Sequence, residues 1–221
     1  MRWLAIDGAL GAFSAASGSD DDSFAERSAA SDGNDALERG LSIIDEVLAG
    51  EALWSFDALA VGTGPGGFTG LRIALSYAKS LAFAAGLPLA GISSYDALEP
   101  QEPGARRATF VHGRVGIACV RLRGYGDEVL VCGSYADLAD AVSRHVPRGD
   151  ELICYGRAEG TAPALGERGI IVRTMPNEAA VPALAVLRRA MTRSTLSNAH
   201  AVVADYGEVP HYATRSGDPK R

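Results

Sequence analysis

The chain has 221 residues, 47% of them hydrophobic and 22% charged, with a formal net charge of −6. That length can bury a proper core as one large domain or two small ones, and the acidic balance leaves no basic footprint for a broad grip on nucleic acid. Cys119, Cys132 and Cys154 are odd in number and lack a C-x-x-C, so neither a disulfide framework nor a zinc knuckle is indicated, and buried structural thiols are expected.

The N-terminus lacks a signal peptide's basic start and apolar run. No segment approaches the ~20 apolar residues of a membrane helix. A cytosolic protein without a membrane partner is the expectation.

Residues 3–6 read as a first strand that ends in Asp7-Gly8. Residues 9–17 and 24–30 read as two further strands, joined by the acidic turn 18–23, whose charges are best read as solvated. Residues 35–48 predict a helix with two neighbouring apolar stripes. One holds Leu37, Leu41, Ile44 and Leu48, the other Ala36, Gly40, Ile43 and Val47. Together they span an arc of about 160°, wider than the roughly 100° that faces one core.

Residues 59–61 form a short apolar strand of the doubly covered kind. Five glycines and Pro65 then crowd positions 62–70, a density no helix or strand tolerates. A helix follows over 70–86, with Leu71, Ala74, Leu75, Ala78 and Ala82 at helical spacing and Gly86 as its C-terminal cap. Residues 87–92 return as a strand, and Ser93 or Ser94 can cap another short helix. This strand, helix and strand predict a parallel, right-handed unit.

Further on, residues 108–112, 116–122, 129–131, 151–154 and 170–172 read as strands. Ser134 and Asp137 make a capping-box-like helix start, and 177–193 predicts the last clear helix. The polar tail 214–221 is expected to be mobile.

The glycine turn has two readings. Backbone N–H groups of Gly64, Gly66, Gly67, Thr69 and Gly70 at a helix start, with Arg72 nearby and Asp7 closing the first strand, could hold an anion. Alternatively, the glycines only let the chain turn sharply and pack closely. The turn matches G-x-G-x-x-G formally, but the following strand ends without the acid a dinucleotide site needs, and no P-loop Gly-Lys-Ser/Thr follows.

His112, His145, His200 and His211 lack partners at ligand spacing, so no metal site is expected. No G-x-S-x-G elbow is present either, and no catalytic residue is assigned.

Gly64-Pro-Gly-Gly-Phe-Thr-Gly-Leu-Arg-Ile, the alanine-rich helix and Gly-Leu-Pro-Leu-Ala-Gly-Ile-Ser-Ser resemble the signature of the TsaB family. Agreement is close over residues 57–98, weaker over 1–49, and only in outline beyond. The family form has Ser where this chain has Gly67, Asp-Thr-Ser where it has Asp7-Gly8-Ala9, and His-x-Glu-Arg where it has Ala36-Leu-Glu38-Arg39. His112-Gly-Arg114 stands where the family has Asp-Ala-Arg. With both hydroxyls missing after Asp7, that residue is expected to close a turn rather than to catalyse.

The resemblance implies an α/β fold of two ribonuclease H-like halves of the actin, Hsp70 and sugar-kinase superfamily, residues 1–100 and a reduced 101–221. It implies a non-catalytic scaffold for a TsaD-type catalytic subunit that forms N6-threonylcarbamoyladenosine at position 37 of ANN-reading tRNAs. A TsaE-type ATPase would be a further partner, with ATP and metal held by partner subunits, tRNA contacted indirectly, and a homodimer when alone. The implied interface uses the two helices, through Ala36, Leu37, Gly40, Leu41, Ile73, Ala74, Leu75 and Ala78. The alternative is an ATP-binding phosphotransferase or ATPase of the same superfamily. A self-standing hydrolase would need a nucleophile and base that the sequence does not offer.

Overall fold

The computed structural model describes residues 1–21, 26–31, 36–101, 104–113, 115–193 and 195–207, without the side chains of 36, 37 and 193. The acidic turn in part, residues 209–215, which resemble the TsaB family's closing Pro-x-Tyr-x-Arg stretch, His211 and the tail 214–221 lie outside the described residues. The architecture is mixed α/β, with two five-stranded sheets.

The first sheet has the strand order β3-β2-β1-β4-β5. Its members are β1 (Arg2–Asp7), β2 (Ser14–Ser19), β3 (Arg27–Ala30), β4 (Ala58–Gly64) and β5 (Leu89–Ser93). The first three are antiparallel, whereas β4 and β5 run parallel beside β1. β2 starts later than the sequence pattern predicts, because Asp7 folds residues 9 and 10 into a turn.

Side chains alternate across this sheet. Leu4, Ile6, Leu59 and Val61 face one core with α1 (Ala36–Leu48) and α2 (Phe68–Ala85). Trp3, Ala5, Ala58 and Ala60 face the other, where small side chains let a late helix sit close. Each fully buried Leu or Ile stabilises by roughly 1.5–3 kcal/mol.

The second sheet has the order β10-β9-β6-β7-β8. It is built from β6 (Arg107–His112), β7 (Ile117–Arg123), β8 (Val129–Ser134), β9 (Glu151–Gly156) and β10 (Ile171–Thr174). α4 (Tyr135–Ser143) opens on the predicted capping box, with Ser134 and Asp137 exchanging hydrogen bonds. A short α5 (Ala162–Glu167), with Pro at its start, has too few turns to show periodicity in the sequence. Both helices cover the apolar face formed by Ala108, Phe110, Val120, Leu122 and Leu152.

Two further expectations need correction. The last helix, α6 (Pro182–Arg193), begins five residues later than the pattern predicts. Proline suits a first helical turn, and the Ser14 hydroxyl accepts from the Ala183 N–H at 3.0 Å, a cap supplied by a distant strand. α6 also returns to the first sheet, where Leu184, Val186 and Leu187 fill the alanine face.

The cysteines are the second correction. Cys119 and Cys132 are not free thiols but a disulfide between facing residues of β7 and β8. Strand pairing brings them together, which spacing along the chain does not reveal. Cys154 is free and buried as expected, and burial pushes its thiol up to about 12.

Between the two sheets lies α3 (Ser94–Leu98), capped by the Ser93 hydroxyl. Glu99 just beyond it is buried and accepts from Arg107 Nε at 2.8 Å, Thr109 Oγ1 at 2.6 Å and Arg121 at 2.8 Å. Burial alone would raise the Glu99 pKa, but these bonds and the Arg121 charge outweigh it and hold the carboxyl below its usual range. Arg189 of α6 grips the carbonyls of Asp96, Glu99 and Pro100 from the other side.

Candidate functional site

The glycine turn joins β4 to α2. The first turn of that helix rests directly on the β1–β2 turn. A Cβ on Gly66 would collide with the Ala9 carbonyl oxygen, and Gly8 and Gly70 oppose each other so closely that neither could carry a side chain. Gly8, a departure from the family's threonine, is what permits that approach. Gly64, at φ +96°, lies against the Asp205 carbonyl.

Three backbone donors near the turn, those of Ala9, Leu10 and Gly67, are occupied from within. Asp7 is fully buried, and its Oδ1 accepts from Ala9 N–H at 3.1 Å and Leu10 N–H at 3.0 Å. Gly67 N–H donates to the Ala9 carbonyl at 2.8 Å. Burial raises the Asp7 pKa to about 6, although the hydrogen bonds from Leu10 and Ala9 pull it down. Its Oδ2 has no hydrogen-bond partner among the described residues. This geometry is that of a turn-closing aspartate.

A cleft of about 480 Å³ opens between the halves, bordered by Ala9, Leu10, His112, Arg157 and Asn177. Asp7 does not border it. His112 stacks on Tyr135, while His145 and His200 are exposed and far apart in sequence. Among the described residues, no group of three or more His, Cys, Asp or Glu could hold a metal ion.

The motif's large side chains have a distinct use. Phe68 and Arg72 lie one turn apart on the outer face of α2, with the guanidinium 3.7 Å from the phenyl centroid. Tyr206 joins them, its ring 5.3 Å from Phe68 and its hydroxyl accepting from Arg72 Nε at 3.2 Å. Sequence reasoning missed this contact, because nothing local to residue 206 announces a partner at residue 72. Thr69 is exposed on the same helix turn.

The candidate interface residues divide. Gly40, Ala74, Leu75 and Ala78 are buried, and a Cβ on Gly40 would stand 2.6 Å from the Tyr77 ring. The smallness of Gly40, Ala74 and Ala78 serves contact between α1, α2 and the sheet. Leu41, 59% exposed, and Phe83, 76% exposed, face outward, while Ile73 is half-buried, packed in part against the first core. Ile73 borders an open recess of about 360 Å³ with Arg72, Ser76, Tyr77 and Ser80. Ala36 and Leu37 open α1, and their side chains are outside the described set.

Residues 36–106 match the family described as "TsaD: tRNA N6-adenosine threonylcarbamoyltransferase". A 63-residue stretch is 49% identical to the tRNA threonylcarbamoyladenosine biosynthesis protein TsaB of Haemophilus influenzae. A 59-residue stretch is 42% identical to the protein of the same name from Escherichia coli. The chain resembles the TsaB proteins. The matches span 28% and 26% of this chain, and 27% and 26% of the relatives. Over the whole fold, YeaZ from Pseudomonas aeruginosa superposes with a TM-score of 0.67 at 23% identity, covering 93% of this chain and 99% of that one. No helix among the described residues is long and apolar enough to cross a membrane.

Proposed function

We propose that the chain is a non-catalytic scaffold that docks a TsaD-type catalytic subunit for forming N6-threonylcarbamoyladenosine on tRNA. The observation that carries this reading is the outer face of α1 and α2, where Leu41 and Phe83 are exposed and Ile73 of the signature is only half-buried. The names of the two curated TsaB relatives supply the pathway. In this reading the two sheets are the ribonuclease H-like halves of the actin and sugar-kinase superfamily. The protein works in the cytoplasm, pairs with itself when alone, and leaves ATP, metal and most tRNA contact to TsaD- and TsaE-type partners.

The phosphotransferase alternative draws on the cleft between the halves. It is disfavoured because the amides of Ala9, Leu10 and Gly67, which would meet a phosphate there, already have internal acceptors.

Single arginines at Leu41 and Ile73 test the docking reading. An exposed position tolerates arginine in the monomer, whereas an unpaired charge buried in an interface costs several kcal/mol of association. Titration calorimetry with a TsaD-type subunit should show a folded variant that no longer binds. Gly40→Arg and Ala78→Arg should instead unfold the monomer. Normal binding by both folded Leu41→Arg and Ile73→Arg would place the interface elsewhere.

A further inference from the structure

Residues 195–207 form a strap that ties the two halves together. Ser197 bridges Leu89 of β5, Ala199 and Val202 are buried in the first core, and Asp205 N–H donates to the Thr63 carbonyl at 2.7 Å. Tyr206 sits on Phe68 and Arg72. Gly207 then reaches the second sheet, with φ at +70°. A Cβ there would stand 2.7 Å from Cys119 Sγ, 2.8 Å from Cys132 Sγ and 3.0 Å from Pro65 Cβ.

We propose that the Cys119–Cys132 disulfide is a reversible redox clasp, and that reducing it releases residues 205–207 from the glycine turn. Two observations carry this. The bond joins facing residues of strands that already pair from Ile117↔Ser134 to Leu122↔Val129, so it closes little loop that the ladder has not closed. Its worth as an entropic staple is correspondingly small. Second, the bonded sulfurs fit beneath Gly207 because they lie inside van der Waals contact of each other. Two free thiols cannot stay there. Separating the sulfurs to non-bonded distance moves at least one of them, and Gly207, wedged between both sulfurs and Pro65, is the neighbour that this movement displaces.

The half-buried Cys132 offers the point of attack. An external dithiol supplies the electrons. Its thiolate forms a mixed disulfide with one protein sulfur while the other departs and takes up a proton. The second thiol of the reductant then closes its own disulfide and releases the remaining protein thiol. Two electrons and two protons pass to the protein, and no group is retained.

The test compares amide exchange of full-length protein after oxidation with oxidised glutathione and after reduction with dithiothreitol. Alkylation and mass spectrometry count the thiols, with Cys154 as the internal control. Reduction should speed exchange at Asp205 at least about tenfold, with β4 amides unchanged. Gly207→Ala should do the same in the oxidised protein, and a Cys119→Val, Cys132→Ala pair should make Asp205 insensitive to reductant. Three results would each overturn the clasp: equal protection in both verified states, full alkylation of both cysteines after oxidation, or loss of β4 protection together with the strap. The wild-type comparison stands even if a variant does not fold.

Discussion

The two sheets reach the same strand count by different physics. The first is apolar on both faces, with Leu4 and Ile6 toward α1 and α2, and Trp3 and Ala5 toward α6. The second is apolar toward α4 and α5, yet its other face presents Arg107, Thr109, Arg121 and Arg123. These converge on Glu99 at the joint between the halves. Apolar packing is non-directional, so the first sheet fixes its helices by shape. The charged face instead demands one arrangement of donors around Glu99, with Asp96 of α3 also pairing Arg121, which sets how the second half sits on α3.

The sharpest way to break this contrast is Glu99→Ala. Removing the acceptor takes the carboxylate from buried Arg107 and leaves Arg121 only its ion pair with Asp96, which should cost on the order of 3 kcal/mol in urea unfolding. The pH dependence has a definite sign. A carboxyl with a depressed folded pKa stabilises above its unfolded value and loses that contribution as pH falls through the folded one. Wild type should therefore lose this stability in acid below the ordinary carboxylate range, and Glu99→Ala should lack that acid limb. A loss under 1 kcal/mol would mean that the Glu99 cluster is not what holds the second half.

Asp7 is the exception on the apolar side, and it acts with the opposite sign. Its pKa rises from 3.8 to about 6, so at roughly 1.4 kcal/mol per pKa unit the buried charge costs on the order of 3 kcal/mol at neutral pH. A raised folded pKa means stability that is complete below about pH 4 and is lost as pH rises through about 6. Asp7→Asn keeps an acceptor for Ala9 and Leu10, so it should stabilise the protein at pH 7 by up to about 3 kcal/mol and flatten the slope between pH 4 and 6. Thermal melts across that range decide it; a destabilised variant at pH 7 would show that the ionised carboxylate is needed.

Much of the first half was legible because its signals are local. α2 ends on Gly86 at φ +67° as its sequence predicts, and Ser93 caps α3. The glycine turn was also visible, with both readings open, and the structure shows its packing use. Which stripe of α2 faces outward was not readable, since alanines on an arc that wide satisfy either side. The joint was missed although it left a trace. Arg107 and Thr109, and Arg121 and Arg123, sit at every second position of strands whose intervening residues are apolar, which marks a polar inner face. The disulfide and the Tyr206 clamp left no such trace, because each depends on strands or segments meeting from afar.

The smallest expected effects come from neighbouring glycines that the sequence cannot tell apart. At Gly66, φ is +155° and a Cβ meets the Ala9 carbonyl, so Gly66→Ala should cost on the order of 1 kcal/mol or more. Gly67 is different. Its φ of −61° suits any residue, an added Cβ would stand 3.7 Å from the nearest atom, and it occupies the N-cap of α2 without a side chain to cap it. Serine, the residue of the TsaB signature, could accept from the open first-turn amides there, while the Gly67 N–H keeps its bond to Ala9. Since glycine is only a few tenths of a kcal/mol worse than serine at an N-cap, Gly67→Ser should raise stability by about that much. Parallel urea titrations of the two variants would read opposite shifts in midpoint with unchanged slopes. Should Gly67→Ser instead destabilise as much as Gly66→Ala, the β1–β2 turn presses on the whole start of α2, and this chain's departure from the family serine is a packing requirement rather than a lost cap.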